Sequence, residues 1–349
     1  MKKVLVGMSG GIDSSAAVWL LQQQGYEVEG VTLLLTEGSA CGSSRDVEDA
    51  RLTAKRLGIA HRVLDERQWF HDTVIRDFAD TYAAGATPNP CIVCNREVKF
   101  GRLLTRALEE GFDAVATGHY ARVEQGENGR RLLKKAVDAS KDQSYVLYSL
   151  TQQQLPHVLF PLGDRFKADL RVLAAEQGWE SANKPDSQDI CFIPDGDYAA
   201  FLEKKMGIRR EAGDFLDMNG QVIGKHTGMI GYTIGQRKGL GVAFGEPRFV
   251  VQKDAKCNTV TLGKSEDLFA DTLTAERVNW ISIPALTEPM TVTAKTRYSQ
   301  REAAAVIEPC GDSRVRVAFS EPQRAITVGQ AVVFYDGDTV VGGGTITQD

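Results

Sequence analysis

Ser9-Gly10-Gly11-Ile12-Asp13-Ser14 is the stretch of this chain best equipped to grip phosphate. It follows the apolar run Val4-Leu5-Val6 and opens a helical pattern, Ser15 to Leu21, that stops at Gly25. Strand, glycine turn and helix N-terminus together present backbone N–H groups and a positive helix end to an anion. Two adjacent glycines let main chain approach phosphate oxygens where a Cβ would clash. Ser9, Ser14 and Ser15 add hydroxyls, and Asp13 is placed to hold a hydrated Mg²⁺. A Walker loop carries Lys before its Ser/Thr, and Asp13 stands in that place here. A carboxylate suits a loop that grips a leaving pyrophosphate through metal. The same residues also fit an ordinary capped turn, but a strand and helix in register favour phosphate.

Sulfur chemistry is the second candidate. Cys91 and Cys94 end the segment Thr87-Pro88-Asn89-Pro90-Cys91-Ile92-Val93-Cys94, just ahead of Arg96 and Lys99. The prolines bias this approach away from helix, so the spacing predicts a helix from Asn95 to Glu110 with Cys94 at its N-terminus. There the dipole and the cations favour thiolate, the reactive form. A CxxC pair also serves as half a zinc site, as a redox couple or as two buried thiols. No second CxxC or His pair is present to complete tetrahedral zinc. Cys191, between Pro185 and Pro194 with Asp186 and Asp189 beside it, reads as a loop cysteine. Cys41, Cys257 and Cys310 read as structural, although the Gly/Ser-rich loop of Cys41 lies within reach of the phosphate rim.

The elements that must position these residues alternate. Val28 to Leu35, Arg62 to Leu64 and Ala114 to Thr117 are strand-like; Arg45 to Leu57, Trp69 to Tyr82 and the basic run after Cys94 are helical. Such alternation predicts a parallel sheet covered on both faces, with ligands beyond the carboxyl ends of its strands. That puts the Ser9 loop, Leu33 and Gly118-His119 on one rim. From about Gly213, dense glycines separate short β-prone runs, and after Asp271 the chain reads as alternating strands, a small barrel or sandwich. The expected units are residues 1–197, 198–268 and 269–349.

Two or three domains suit 349 residues. A net charge of -5 excludes a chain that binds nucleic acid by bulk charge. Local bunches keep a polyanion in play: Arg96, Lys99, Arg102 and Arg106; Arg130, Arg131, Lys134 and Lys135; Lys204, Lys205, Arg209 and Arg210. The apolar run after Met1-Lys2-Lys3 is too short for a signal peptide, and no segment is apolar enough to span a bilayer. The six cysteines therefore point to a reducing, cytoplasmic setting without membrane.

The Ser9 loop resembles the SGGxDS signature of the PP-loop ATP pyrophosphatases. With Thr87 to Phe100, Thr117 to Arg122, Lys141 to Tyr148, Asp186 to Pro194, Gly228 to Gly241, Lys295 to Tyr298 and Gly329 to Tyr335, the chain is similar to the bacterial tRNA-specific 2-thiouridylases along nearly its whole length. The resemblance implies an adenine-nucleotide α-hydrolase-like α/β sheet, a small glycine-rich central domain and a C-terminal β-barrel. It implies an enzyme that adenylates the C2 oxygen of the tRNA wobble uridine with ATP and replaces it by sulfur from a cysteine persulfide. Cys94 would be the nucleophile and Cys191 the persulfide carrier. A persulfide requires a sulfur-donor protein, such as a cysteine desulfurase or a sulfur relay protein. ATP would lie against Gly7, Met8, Ser9, Gly10, Gly11, Ile12, Asp13, Ser14, Leu33 and Gly118. Asn89, Pro90 and Cys91 would meet the target base. His119, Lys141, Asp142, Gln143, Arg297, Tyr298 and Gln330 would meet tRNA. Cys91 and Leu33 depart from the family pattern, where some members carry Asp and Met. Three rival readings share the residues: an iron–sulfur cluster on Cys91, Cys94 and Cys191, a small-molecule PP-loop amidotransferase, and a non-catalytic tRNA-binding module.

Overall fold

A computed structural model describes residues 1–36, 43–179, 190–242, 245–311 and 313–347. Cys41, Asp186 and Asp189 lie outside them. The chain opens with β1 (Lys3–Gly7), α1 (Ile12–Gln23), β2 (Glu27–Leu34), α2 (Ser44–Arg56), β3 (His61–Asp65) and β4 (Ala114–Ala116). A hairpin follows, β5 (Ala121–Gln125) and β6 (Arg131–Lys135), and then β7 (Val158–Leu159). Five of these strands form a parallel sheet in the order β3-β2-β1-β4-β7. Val4, Leu5 and Val6 are wholly buried, as a central parallel strand covered on both faces requires. The chain order reverses at β1, between β2 and β4, so the crevice that accepts ligands opens there, where Gly7 runs into the Ser9 loop.

The next sheet, β10-β11-β8-β9, comprises β8 (Gly213–Leu216), β9 (Val222–His226), β10 (Phe249–Asp254) and β11 (Thr259–Gly263), packed around Phe215, Val250, Val260 and Leu262. The last six strands are β12 (Phe269–Trp280), β13 (Met290–Lys295), β14 (Ala303–Cys310), β15 (Arg314–Arg324), β16 (Ala331–Asp336) and β17 (Thr339–Thr347). They run β12-β15-β14-β13-β16-β17, and a β12–β17 pairing closes them into a barrel, which leaves no open edge. The α/β sheet, the glycine-rich middle sheet and the barrel are thus the architecture the sequence implies.

Two features differ from the sequence reading. The β5–β6 hairpin leaves the first unit and pairs with β17 of the barrel through Lys134 and Thr339. One buried cluster then runs from Leu5 and Val31 through Tyr145 and Leu147 to Ala331, Val333 and Tyr335. The parallel sheet and the barrel therefore share a core. The second difference is the cysteine helix, which begins at Pro90 rather than Asn95: Pro90–Val93 is α-helical, Cys94–Arg102 is a wide π-helical stretch and Leu103–Glu109 is α-helical again. Pro90 starts the helix because its fixed φ suits the first helical position, where its missing N–H costs nothing. Cys94 consequently sits one turn inside the helix, not at its N-terminus, and Cys91 is the cysteine in the first turn.

Candidate active site

Met8, Gly10 and Gly118 are placed by close contacts to main chain. Met8 N donates to Val31 O, and the Thr32 hydroxyl donates to Met8 O, which ties the loop entry to β2. Gly10 has φ +69°, and a Cβ there would lie 2.6 Å from Asp46 O at the start of α2. Its glycine is demanded by the fold as well as by any ligand. A Cβ on Gly118 would lie 2.8 Å from Ser14 N, so Gly118 packs directly on the first turn of α1. The N-cap of α1 is Gly11, and no side chain caps it. Ser14 and Ser15 donate their hydroxyls to Gly11 O at 3.1 and 2.9 Å, and Ser14 Oγ also accepts from Ser9 N. Those two hydroxyls serve the loop's own shape, and Ser9 alone of the three serines is exposed.

Asp13 meets a partner that sequence reasoning missed. Lys167 Nζ donates to both carboxylate oxygens at 2.7 Å, and the Tyr120 hydroxyl donates to Oδ1 at 2.7 Å. The Lys167 side chain is only 6% exposed and that of Asp13 is 32% exposed. Lys167 opens the helix Lys167–Glu176, whose Leu170 and Ala174 pack with Ala16, Ala17 and Leu20 of α1 in one cluster.

The cysteines gather around one apolar cluster. Cys94 is buried with Phe70, Val74, Phe78, Val98, Phe192 and Ile193, and Cys191 and Leu33 pack against the same group while partly buried. Cys91 is exposed, as are Cys257 and Cys310. Among the described residues no three His, Cys, Asp or Glu side chains form a metal-holding group, so Cys91, Cys94 and Cys191 are not assembled into a cluster site. Beside the cysteine helix, Thr117 and His119 share a 2.7 Å hydrogen bond, and His119 tilts toward Phe100 and Phe160. Burial first, then the Lys99 charge, pushes the His119 pKa well below its ordinary value.

The segment that leads into Asn89, Pro90 and Cys91 is seated on the barrel through Thr87 and Pro88. Gln330 Nε2 donates to the carbonyls of Thr87 and Pro88 at 3.2 and 3.0 Å, and Thr87 N donates to Val328 O. Gly329 leaves room for this docking, since a Cβ on it would lie 2.9 Å from Ala86 Cβ and from Thr87 O. Burial raises the Tyr298 pKa, and Asp142 and Cys91 add to the shift, which places the Tyr298 phenol within electrostatic range of both. Tyr298 remains 44% exposed, with Lys295 Nζ 5.5 Å from its ring centre.

Other residues expected at tRNA are engaged with the chain itself. Asp142 accepts from Ala136 N and from Ser144 N and Oγ, and Gln143 Oε1 accepts from Tyr120 N. Arg297 donates to Ala325 O, Thr327 Oγ1 and Ile234 O, tying the barrel to the segment before β10. Most of the basic bunches are paired too: Arg102 with Glu66, Arg106 with Glu110, Lys134 with Glu124 and Lys135 with Glu302.

Three family models match the chain in succession: a tRNA methyl transferase HUP domain over residues 2–195, a tRNA methyl transferase PRC-barrel domain over 199–264 and an aminomethyltransferase beta-barrel domain over 270–346. The chain is 52% identical to the tRNA-specific 2-thiouridylase MnmA of Acetivibrio thermocellus, with 99% of each chain covered. It is 51% identical to that of Clostridioides difficile, with 99% of this chain and 98% of the relative covered. Among solved structures, a 4-thiouridine synthetase–RNA complex with bound ATP matches 59% of this chain and 50% of its own, at 21% identity and a TM-score of 0.40. Among the described residues no helix is long and apolar enough to cross a membrane. With near-complete coverage at about half identity, the chain belongs to the tRNA-specific 2-thiouridylase family.

Proposed function

We propose that this chain uses ATP to thiolate the wobble uridine of tRNA at C2, in the cytoplasm, with sulfur brought by a persulfide-bearing donor protein. The observation that carries this reading is the shared apolar cluster of Cys94, Cys191 and Leu33, which joins the sulfur chemistry to the nucleotide rim.

Oxide is no leaving group at neutral pH, so O2 must first be converted into one, and adenylation with loss of pyrophosphate does that. The uncapped N–H groups of α1 and the exposed Ser9 hydroxyl face the phosphates. The part-exposed Asp13 carboxylate fits a hydrated Mg²⁺, which when bound would offset pyrophosphate charge. The uridine must leave the anticodon stack, at a cost of a few kcal/mol, and meets Asn89, Pro90 and Cys91, which follow directly on the Thr87-Pro88 carbonyls that Gln330 holds. The terminal sulfur of a Cys191 persulfide attacks C2 and expels AMP. Cys94 thiolate then attacks Cys191 Sγ, leaving a Cys94–Cys191 disulfide and releasing thiouridine. The alternative order, with Cys94 freeing sulfide that attacks C2, ends in the same disulfide. A thiol reductant reopens it. Burial of Cys94 among phenylalanines keeps water from the activated base.

Mass spectrometry of tRNA nucleosides after incubation with ATP and a persulfide donor tests this reading. Cys94→Ser and Cys191→Ser should each form no 2-thiouridine, whereas Cys257→Ser and Cys310→Ser should retain it. Full activity in Cys191→Ser would remove the sulfur carrier from the scheme.

A further inference from the structure

The loop lacks the lysine that a Walker loop carries, yet a lysine reaches it. Lys167 arrives from a helix start 154 residues away and places its ammonium 2.7 Å from both oxygens of Asp13. Nothing about this contact is peripheral. The lysine side chain is nearly sealed from water, its backbone N donates to Asp138 Oδ2 at 3.0 Å, and the Tyr120 ring lies 5.9 Å from Nζ. An ammonium taken out of water costs several kcal/mol unless it is paired, so a chain that retains one here has a use for it or for its partner. A first-turn position adds to that cost, because the positive end of the helix dipole repels a cation. Asp13 meets the opposite condition: it is an anion at a helix N-terminus that must also receive the far more negative polyphosphate of ATP.

We propose that Lys167 is a ligand of the ATP polyphosphate, held in reserve by Asp13 until nucleotide arrives. In the resting protein the pair is neutral and the loop is pre-shaped. With Mg·ATP bound, the Asp13 carboxylate would turn to the metal's water and the Lys167 ammonium to phosphate oxygens, so the buried ammonium and the part-exposed carboxylate exchange partners without either being left alone. Tyr120, fixed by the Gln143 contact to its backbone N, keeps the carboxylate aimed during the exchange. This assignment rests on the reading of the loop as an ATP site and adds to it the cation that the loop itself does not supply.

The test uses the full chain without tRNA and measures binding of ATP with Mg²⁺, and of pyrophosphate with Mg²⁺ or with EDTA, by calorimetry. Lys167→Met should weaken ATP and pyrophosphate tenfold or more, and Lys167→Arg should recover part of the loss. Asp13→Asn should bind metal-free pyrophosphate more tightly than the wild type, because it releases the ammonium, while losing the gain that Mg²⁺ confers. A purely structural ion pair would leave both ligands within twofold of wild type in Lys167→Met even with a lowered Tm, and that result overturns the proposal. Should Lys167→Met fail to fold, the charge-balanced Asp13→Asn/Lys167→Met chain is compared with Asp13→Asn; equal pyrophosphate affinities overturn the proposal, and a tenfold loss supports it. A chain that binds nucleotide through Lys167 yet forms no 2-thiouridine supports this inference and overturns the functional reading.

Discussion

Gly118→Ala is the sharpest way to ask whether the rim is held together by backbone contact. An added Cβ would lie 2.8 Å from Asp13 C, 2.8 Å from Ser14 N and 2.9 Å from Asp13 Cβ. Carbon atoms settle at about 3.5–4.0 Å, so the first turn of α1 must retreat by roughly 0.6–1.2 Å. No flexible side-chain end absorbs that movement, because two of the three atoms are main chain. Overpacking of this kind costs about 1–3 kcal/mol. If the cost falls wholly on the nucleotide-binding conformation, ATP affinity drops about 5- to 150-fold, at 1.4 kcal/mol per decade. Gly7→Ala is the control: its Cβ would meet Thr117 Cγ2 at 3.7 Å and Ala116 O at 3.8 Å, ordinary contacts in a strand. Thermal unfolding of the unliganded chain and calorimetric ATP binding read both variants. Gly118→Ala should lower Tm and affinity, while Gly7→Ala should keep Tm within a degree or so. A Gly118→Ala chain indistinguishable from wild type in both measurements would refute the packing argument.

The remaining expectations concern pH and the barrel contacts. His61, His119 and His226 all have pKa values lowered from 6.5, chiefly by burial. The unfolded chain then binds more protons than the folded one, so stability present above pH 6.5 is lost as pH falls through the lowered values. Tm should therefore drop between pH 7.5 and 5.5, and a flat or rising Tm over that range contradicts the assignment. Gln330→Ala frees the carbonyls of Thr87 and Pro88 and should lower thiolation turnover about tenfold or more by misplacing the base loop, with tRNA affinity nearly kept. Arg297→Ala should instead lower Tm first, since its guanidinium bonds three groups of the chain itself. Loss of tRNA affinity in Arg297→Ala at unchanged Tm would show that its contacts are to RNA after all.

What could be read from the sequence was local. A β1–loop–α1 junction is written in contiguous residues, and the strand, the glycines and the helix pattern are all legible within twenty positions. The barrel strands are legible for the same reason, because alternation has a period of two. The start of the cysteine helix is hidden because the same proline that biases its approach away from helix initiates one at Pro90, which puts Cys94 in an apolar cluster and not at a helix end. Long-range pairing left no such trace. Ser14 and Ser15 carry the right hydroxyls for phosphate, yet both are spent on Gly11 O. Arg297 and Asp142 have the right chemistry for RNA and are used to fasten the chain. Lys167 is the instructive case, since a signal for it did exist. A lysine in the first turn of a helix opposes the dipole, and Leu170 and Ala174 commit that helix to burial against α1. An aspartate where a phosphate loop carries lysine is the second anomaly. Each alone reads as a harmless exception. Together they are complementary charges at the N-termini of two helices that share an apolar face, and once those faces pack, the ion pair between Asp13 and Lys167 follows.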